Sequence, residues 1–170
     1  MKFLHSDSGF QPEFLVEGYD FTSIGKGVFV DVGGSHGEVS IAIARRYPQL
    51  SCIVQDMPAT AELGRAQLDE DLKDRVSFMA HDFWKEQPVR DADIYYFRWI
   101  FHDWSDKYSV KILRALIPAL KKGAKIIIND VAIPPPGLIS LYKERWIRYN
   151  FSPISTNRPL YIEAYINIED

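Results

Sequence analysis

The chain has 170 residues, enough for one domain of ordinary size with a substantial core. Hydrophobic residues make up 46% of it, which excludes a disordered polymer, and a net charge of −3 without a basic cluster excludes nucleic-acid binding through an electrostatic footprint. Its polar start does not read as a signal peptide and no apolar run approaches a membrane span, so a soluble, cytoplasmic protein is expected, with no membrane and no nucleic acid among its partners.

Residues 1–27 read as a short, mixed lead-in that ends in Gly25-Lys26-Gly27. The run at 28–32 is apolar and β-branched between glycines, which fits a buried parallel strand. Gly33-Gly34-Ser35-His36-Gly37 follows. From Glu38 the pattern turns helical, with Val39, Ile41, Ala42 and Ile43 on one side and Arg45-Arg46 in the last turn. Strands are expected at 51–55, 75–80, 92–97 and 124–128, and a helix at 58–68. Cys52 lies in an apolar run, and as the single cysteine it reads as a buried, inert thiol.

A long amphipathic helix is expected over 105–122, capped by the Ser105 side chain, with Val110, Leu113, Leu116 or Ile117, and Leu120 facing inward and Pro118 bending its last turn. The alternation of strands and helices implies an α/β fold, Rossmann-like, with a mostly parallel sheet and helices on both faces. Beyond Pro134-Pro135-Pro136-Gly137 a further helix is expected at 138–149. Residues 160–168 alternate with a period of two, which suggests one more strand.

In such a sheet, ligands bind at the carboxyl ends of the strands. The loop 33–37 lies there, and its glycines let a ligand approach the backbone closely. The dinucleotide spacing G-x-G-x-x-G fails, because Ser35 and Glu38 stand where glycines are required. Asp31 precedes the loop, and an acid there disfavours a pyrophosphate and favours a cationic cofactor bearing an ammonium or sulfonium. Asp56 ends the second strand, where a carboxylate accepts from ribose hydroxyls in several cofactor classes.

Asp82 and Phe83 follow the third strand. Asp82 suits an adenine amino group with Phe83 against the ring, or else a plain turn cap. Arg98 and His102 follow the fourth strand. Arg98 suits a contact over a cofactor or a surface ion pair. His102, with an ordinary pKa of about 6.5, suits a base at neutral pH or a structural donor.

Together, Val30-Asp31-Val32-Gly33-Gly34-Ser35-His36-Gly37, Val54-Gln55-Asp56-Met57-Pro58, His81-Asp82-Phe83, Arg98 through Asp106 and Ile112 through Leu120 carry a resemblance. They resemble the S-adenosylmethionine-dependent O-methyltransferases of the caffeate and flavonoid type, whose fungal members methylate polyketides and other secondary metabolites. The resemblance implies that residues 28–137 form an S-adenosylmethionine-binding domain. It implies that Gly33 and Gly34 hold the methionine part, Asp56 the ribose, and Asp82 and Phe83 the adenine, with Arg98 a further cofactor contact. It implies His102 as general base for a phenolic or polyketide hydroxyl, Asp130 as the acid that orients it, and no metal.

Two family segments are expected to be missing. One is a helical N-terminal domain that makes the dimer and covers the substrate. The other is a C-terminal part with an antiparallel strand pair and a second acid beside the histidine; residues 138–170 then form a helix and a divergent tail. Two alternatives to an active enzyme follow. One is a truncated, catalytically impaired cofactor-binding or accessory protein of a biosynthetic pathway. The other, disfavoured by the glycine spacing, is a nicotinamide-dependent oxidoreductase.

Overall fold

The computed structural model describes residues 12–131 and the backbone of residues 161–167. The helix expected at 138–149 lies outside the described residues. The chain divides into two compact units, Met1–Asp82 and Phe83–Asp170.

The first unit holds α1 (Pro12–Gly18), β1 (Gly27–Val32), α2 (Glu38–Arg46), β2 (Leu50–Asp56), α3 (Pro58–Gln67) and β3 (Val76–Ala80). β1 pairs β2 and β2 pairs β3, both parallel, with α2 and α3 as the crossovers. Burial on both faces explains the apolar composition of β1, where Phe29, Val30 and Val32 are all buried. Residues 12–24 of the lead-in hold a short helix and a 3-10 turn. Leu15 and Val16 on α1 are buried, and Phe21 lies edge-on to Phe29 and tilted against Tyr47. The Tyr47 hydroxyl donates to the Val16 carbonyl at 2.9 Å, which ties α1 to the end of α2. The charged stretch after α3 carries one fully buried side chain, Leu72, in a 3-10 turn.

The second unit holds β4 (Ile94–Arg98), α4 (Asp106–Leu116), β5 (Lys125–Val131) and β6 (Tyr161–Asn167). β4 and β5 run parallel, with Arg98 opposite Asn129. β6 pairs antiparallel with β5, so the alternating tail does form a strand.

α4 departs from expectation in three ways. Its inward face is Ser109, Ile112 and Leu116, while Val110 and Ile117 are 46% and 60% exposed. Of the two expected alternatives Leu116 packs and Ile117 does not, whereas the packed positions 109 and 112 lie one residue, about 100° around the helix, before the expected 110 and 113. Second, Ser105 occupies the cap position without a side-chain capping bond; its carbonyl accepts from the Tyr108 and Ser109 amides. Third, the helix stops at Leu116, and Pro118 sits in a following 3-10 turn, Ile117–Ala119.

Among the described residues no helix is long and apolar enough to cross a membrane. Cys52 is 1% exposed, and its thiol is pushed up to about 12 by burial first and then by the charge of Asp31. An inert thiol is therefore what the structure shows.

Candidate functional site

Two clusters carry the expected site residues, one in each unit. In the first, the loop 33–37 leaves the carboxyl end of β1. The Gly33 and Gly34 amides both donate to the Gln55 carbonyl, at 2.8 and 3.0 Å, so the loop is anchored to the end of β2. Gly33 and Gly37 take the left-handed conformation, with φ of 75° and 79°, and so does Ser35 at 52°. At Gly37 a Cβ would also lie 3.0 Å from Phe78 and Val54.

Gly34 is required for another reason. A Cβ there would lie 2.5 Å from Cγ of Asp31 and under 3 Å from both carboxylate oxygens. Asp31 is 2% exposed and accepts from the Ser40 hydroxyl at 2.9 Å. The acid expected beside a cationic ligand thus lies under the loop, against the Gly34 backbone, and not out in solvent.

Asp56 stands at the end of β2. One of its oxygens accepts from the Ser35 amide at 2.9 Å and the other from the Met57 amide at 2.8 Å. A carboxylate oxygen has two lone pairs, so each retains acceptor capacity after one such bond. The residue that breaks the dinucleotide spacing, Ser35, is therefore the one whose amide aims Asp56. The His81 amide donates to the Asp56 carbonyl at 2.9 Å, which places Asp82 one residue beyond the same strand end.

These features fit an adenosylated, cationic cofactor: an anchored loop that admits close approach, a negative floor, and an oriented carboxylate at the next strand end.

In the second unit, Arg98 ends β4, and the Trp99 amide donates to the Asn129 carbonyl at 3.1 Å. The Arg98 guanidinium lies 4.6 Å from the centre of the Trp99 ring. A 3-10 turn, Phe101–Asp103, then presents His102. Its ring Nδ1 lies 2.7 Å from Oδ1 of Asp130 on β5. The other Asp130 oxygen accepts from the Phe101 and His102 amides, at 2.7 and 3.2 Å. A carboxylate only accepts, so Nδ1 carries the proton and Nε2 is the basic end. Nε2 lies 3.4 Å from Oδ1 of Asp103. Burial pushes the His102 pKa down, but the Asp130 hydrogen bond and charge, and then the Asp103 charge, outweigh it; the net direction is up.

The expected pair His102 and Asp130 is thus brought together. Phe83 joins an aromatic group with Trp84, Trp104 and Tyr108, in which Trp84 meets Trp104 edge-on at 4.6 Å. Sequence reasoning missed Ser40, the Ser35 amide, Asp103 and Trp84. Ser40 did leave a signal, as a polar residue at helical spacing among apolar ones on α2.

Comparisons with known proteins identify the family and the fold. An O-methyltransferase domain family matches residues 1–137. The chain is 51% identical over 150 residues to the grayanic acid biosynthesis cluster O-methyltransferase of Cladonia grayi, covering 87% of this chain and 33% of that protein. It is 44% identical over 150 residues to the chlorophenol O-methyltransferase of Trichoderma longibrachiatum, covering 86% and 32%. The chain therefore spans about a third of the length of these relatives. Among solved structures, CalO1, a methyltransferase in calicheamicin biosynthesis in its S-adenosylhomocysteine-bound form, matches with a TM-score of 0.69 at 25% identity, covering 85% of this chain and 42% of that one. The fold is accordingly the Rossmann-like methyltransferase type, α/β with a mostly parallel sheet. On the family match and these identities, the chain belongs to the O-methyltransferase domain family.

Proposed function

We propose that the chain binds S-adenosylmethionine at the loop 33–37 and carries the catalytic base of an O-methyltransferase acting on a phenolic or polyketide hydroxyl. The observation that carries this reading is the 2.7 Å contact between His102 Nδ1 and Asp130. It leaves Nε2 as a base whose tautomer is fixed by a buried carboxylate. The acceptor class draws support from the relatives, one of which is named for chlorophenol.

In this reading Gly33 and Gly34 take the methionine part of the cofactor, Asp56 the ribose, and Asp82 with Phe83 the adenine, while Arg98 makes a further contact. When bound, S-adenosylmethionine supplies an electrophilic methyl group. His102 Nε2 removes the acceptor's proton, and Asp130 stabilises the imidazolium that forms. A phenol with a pKa of about 10 is almost wholly protonated at neutral pH, so a base within hydrogen-bond reach raises the reactive fraction.

The test is calorimetric titration with S-adenosylhomocysteine, followed by transfer of labelled methyl from S-adenosylmethionine to a panel of phenols including chlorophenols. Binding together with transfer that His102→Ala abolishes is expected. Transfer unaffected by His102→Ala would exclude the proposed base. Binding without transfer would favour the cofactor-binding alternative, which the partial coverage of the relatives keeps open.

A further inference from the structure

Two polar residues stand out against the packing of the first unit. β1 has one charged residue, Asp31, among buried apolar neighbours. The buried face of α2 has one polar residue, Ser40, which is fully inaccessible beside Val39, Ile43 and Ala44. The two meet: the Ser40 hydroxyl donates to Asp31 Oδ2 at 2.9 Å. The bond runs from the strand before the loop to the first turn of the helix after it, and so closes the loop 33–37 at its base.

Packing alone does not call for either residue. Placing a carboxylate at 2% exposure is costly unless hydrogen bonds and charges compensate it. An apolar pair at these positions would fill the same space without that cost. Such breaches of local rules concentrate where function requires them. Here the carboxylate also has a defined place. It fills the space beneath Gly34 so closely that a Cβ there would meet Cγ at 2.5 Å. The negative charge is therefore carried beneath Gly34, and the Ser40 hydroxyl holds one of its oxygens from α2.

We infer that Ser40 is a positioning residue for cofactor selection: it fixes the Asp31 carboxylate beneath Gly34, where the charge favours the cationic methyl donor over the neutral thioether left after transfer. This rests on the loop being the S-adenosylmethionine site. Discrimination between donor and product matters because the two share every group except the methyl and the charge on sulfur. A site that reads only adenosine and the amino acid binds both alike, and product then competes with donor.

The experiment is equilibrium binding of S-adenosylmethionine and of S-adenosylhomocysteine to the wild-type chain and to Ser40→Ala, Ser40→Thr and Asp31→Asn. Ser40→Ala is expected to weaken the donor more than the product, shifting the ratio of affinities by about three- to tenfold. Ser40→Thr keeps a hydroxyl and is expected to hold the ratio within about twofold of wild type. A purely structural role would lower both affinities together and leave the ratio unchanged, which overturns the inference. If Ser40→Ala does not fold, Asp31→Asn must shift the ratio in the same direction, and no shift overturns it equally. A wild-type chain that binds neither ligand removes the cofactor reading and this inference with it. Wild-type binding with unaltered ratios in the variants removes the inference alone.

Discussion

Asp130 grips His102 twice: one carboxylate oxygen takes the ring Nδ1–H at 2.7 Å, while the other takes the backbone amides of Phe101 and of His102 itself. One side chain therefore sets both where the imidazole stands and which nitrogen is basic. Positioning and electrostatics are joined in a single residue, so a substitution there changes both.

Asp130→Asn separates the two to a useful extent. The amide oxygen still accepts one set of bonds, but the charge is gone. Burial then dominates the His102 pKa, which falls from its raised value. In the proposed mechanism the base acts in its neutral form, so the acid limb of the kcat/KM profile should move to lower pH, while the plateau drops by about 10²- to 10⁴-fold through loss of orientation and imidazolium stabilisation. A pH–rate profile paired with NMR titration of the ring checks both.

The same raised pKa has a consequence for stability. The folded chain binds the His102 proton more tightly than the unfolded chain. The stabilisation is complete below the unfolded value near 6.5 and is lost as pH rises through the higher folded value. His102→Gln should therefore cost more stability in urea melts at about pH 5 than at about pH 9. An equal cost at both would show that the proton is not held as described.

Asp103 lies at the basic end of the ring, 3.4 Å from Nε2, but its side chain is 68% exposed. Water and salt screen a charge in that position. Asp103→Asn should shift the acid limb in the same direction as Asp130→Asn but by less, and the difference from wild type should shrink in high salt. A salt-independent shift would place Asp103 in a less solvated setting than the one observed.

Gly34→Ala tests the floor of the loop. The added methyl meets the Asp31 carboxylate, and the Ser40 bond limits how far that carboxylate can retreat. A loss of about 1–3 kcal/mol in denaturant unfolding is expected, with loss of S-adenosylhomocysteine binding in calorimetry. Unchanged stability together with retained affinity would mean that the carboxylate has somewhere else to go.

Much of this architecture was legible in the sequence, for identifiable reasons. β1 and β4 are largely buried parallel strands, and continuous apolar runs bounded by glycines or charges mark them plainly. Gly33, Asp56 and Asp130 stand at or next to the carboxyl ends of strands and His102 in the turn after β4, the places where a parallel α/β sheet makes a site legible from its alternation of elements. On α4 the expected Leu116 packs, but Ser109 and Ile112 pack in place of Val110 and Leu113, because a small polar residue such as Ser109 carries little hydrophobic signal. Ser40 was missed for a similar reason: its partner Asp31 lies on another element, and periodicity within one helix does not report a bond to a neighbouring strand. The capping role expected of Ser105 went to its carbonyl, a backbone preference that side-chain statistics do not separate.

β5 has a neighbour on each side, β4 in parallel and β6 antiparallel, and between them it carries Ile126, Ile127, Ile128 and Asp130. Residues 161–167 thereby cover one whole row of its amides and carbonyls. A chain ending before residue 161 would present that isoleucine-rich row as an open edge, the feature that templates fibril growth between molecules. Light scattering on a chain shortened before residue 161 is therefore expected to show self-association that the full chain does not, and a monodisperse shortened chain would show that this edge does not recruit a second molecule.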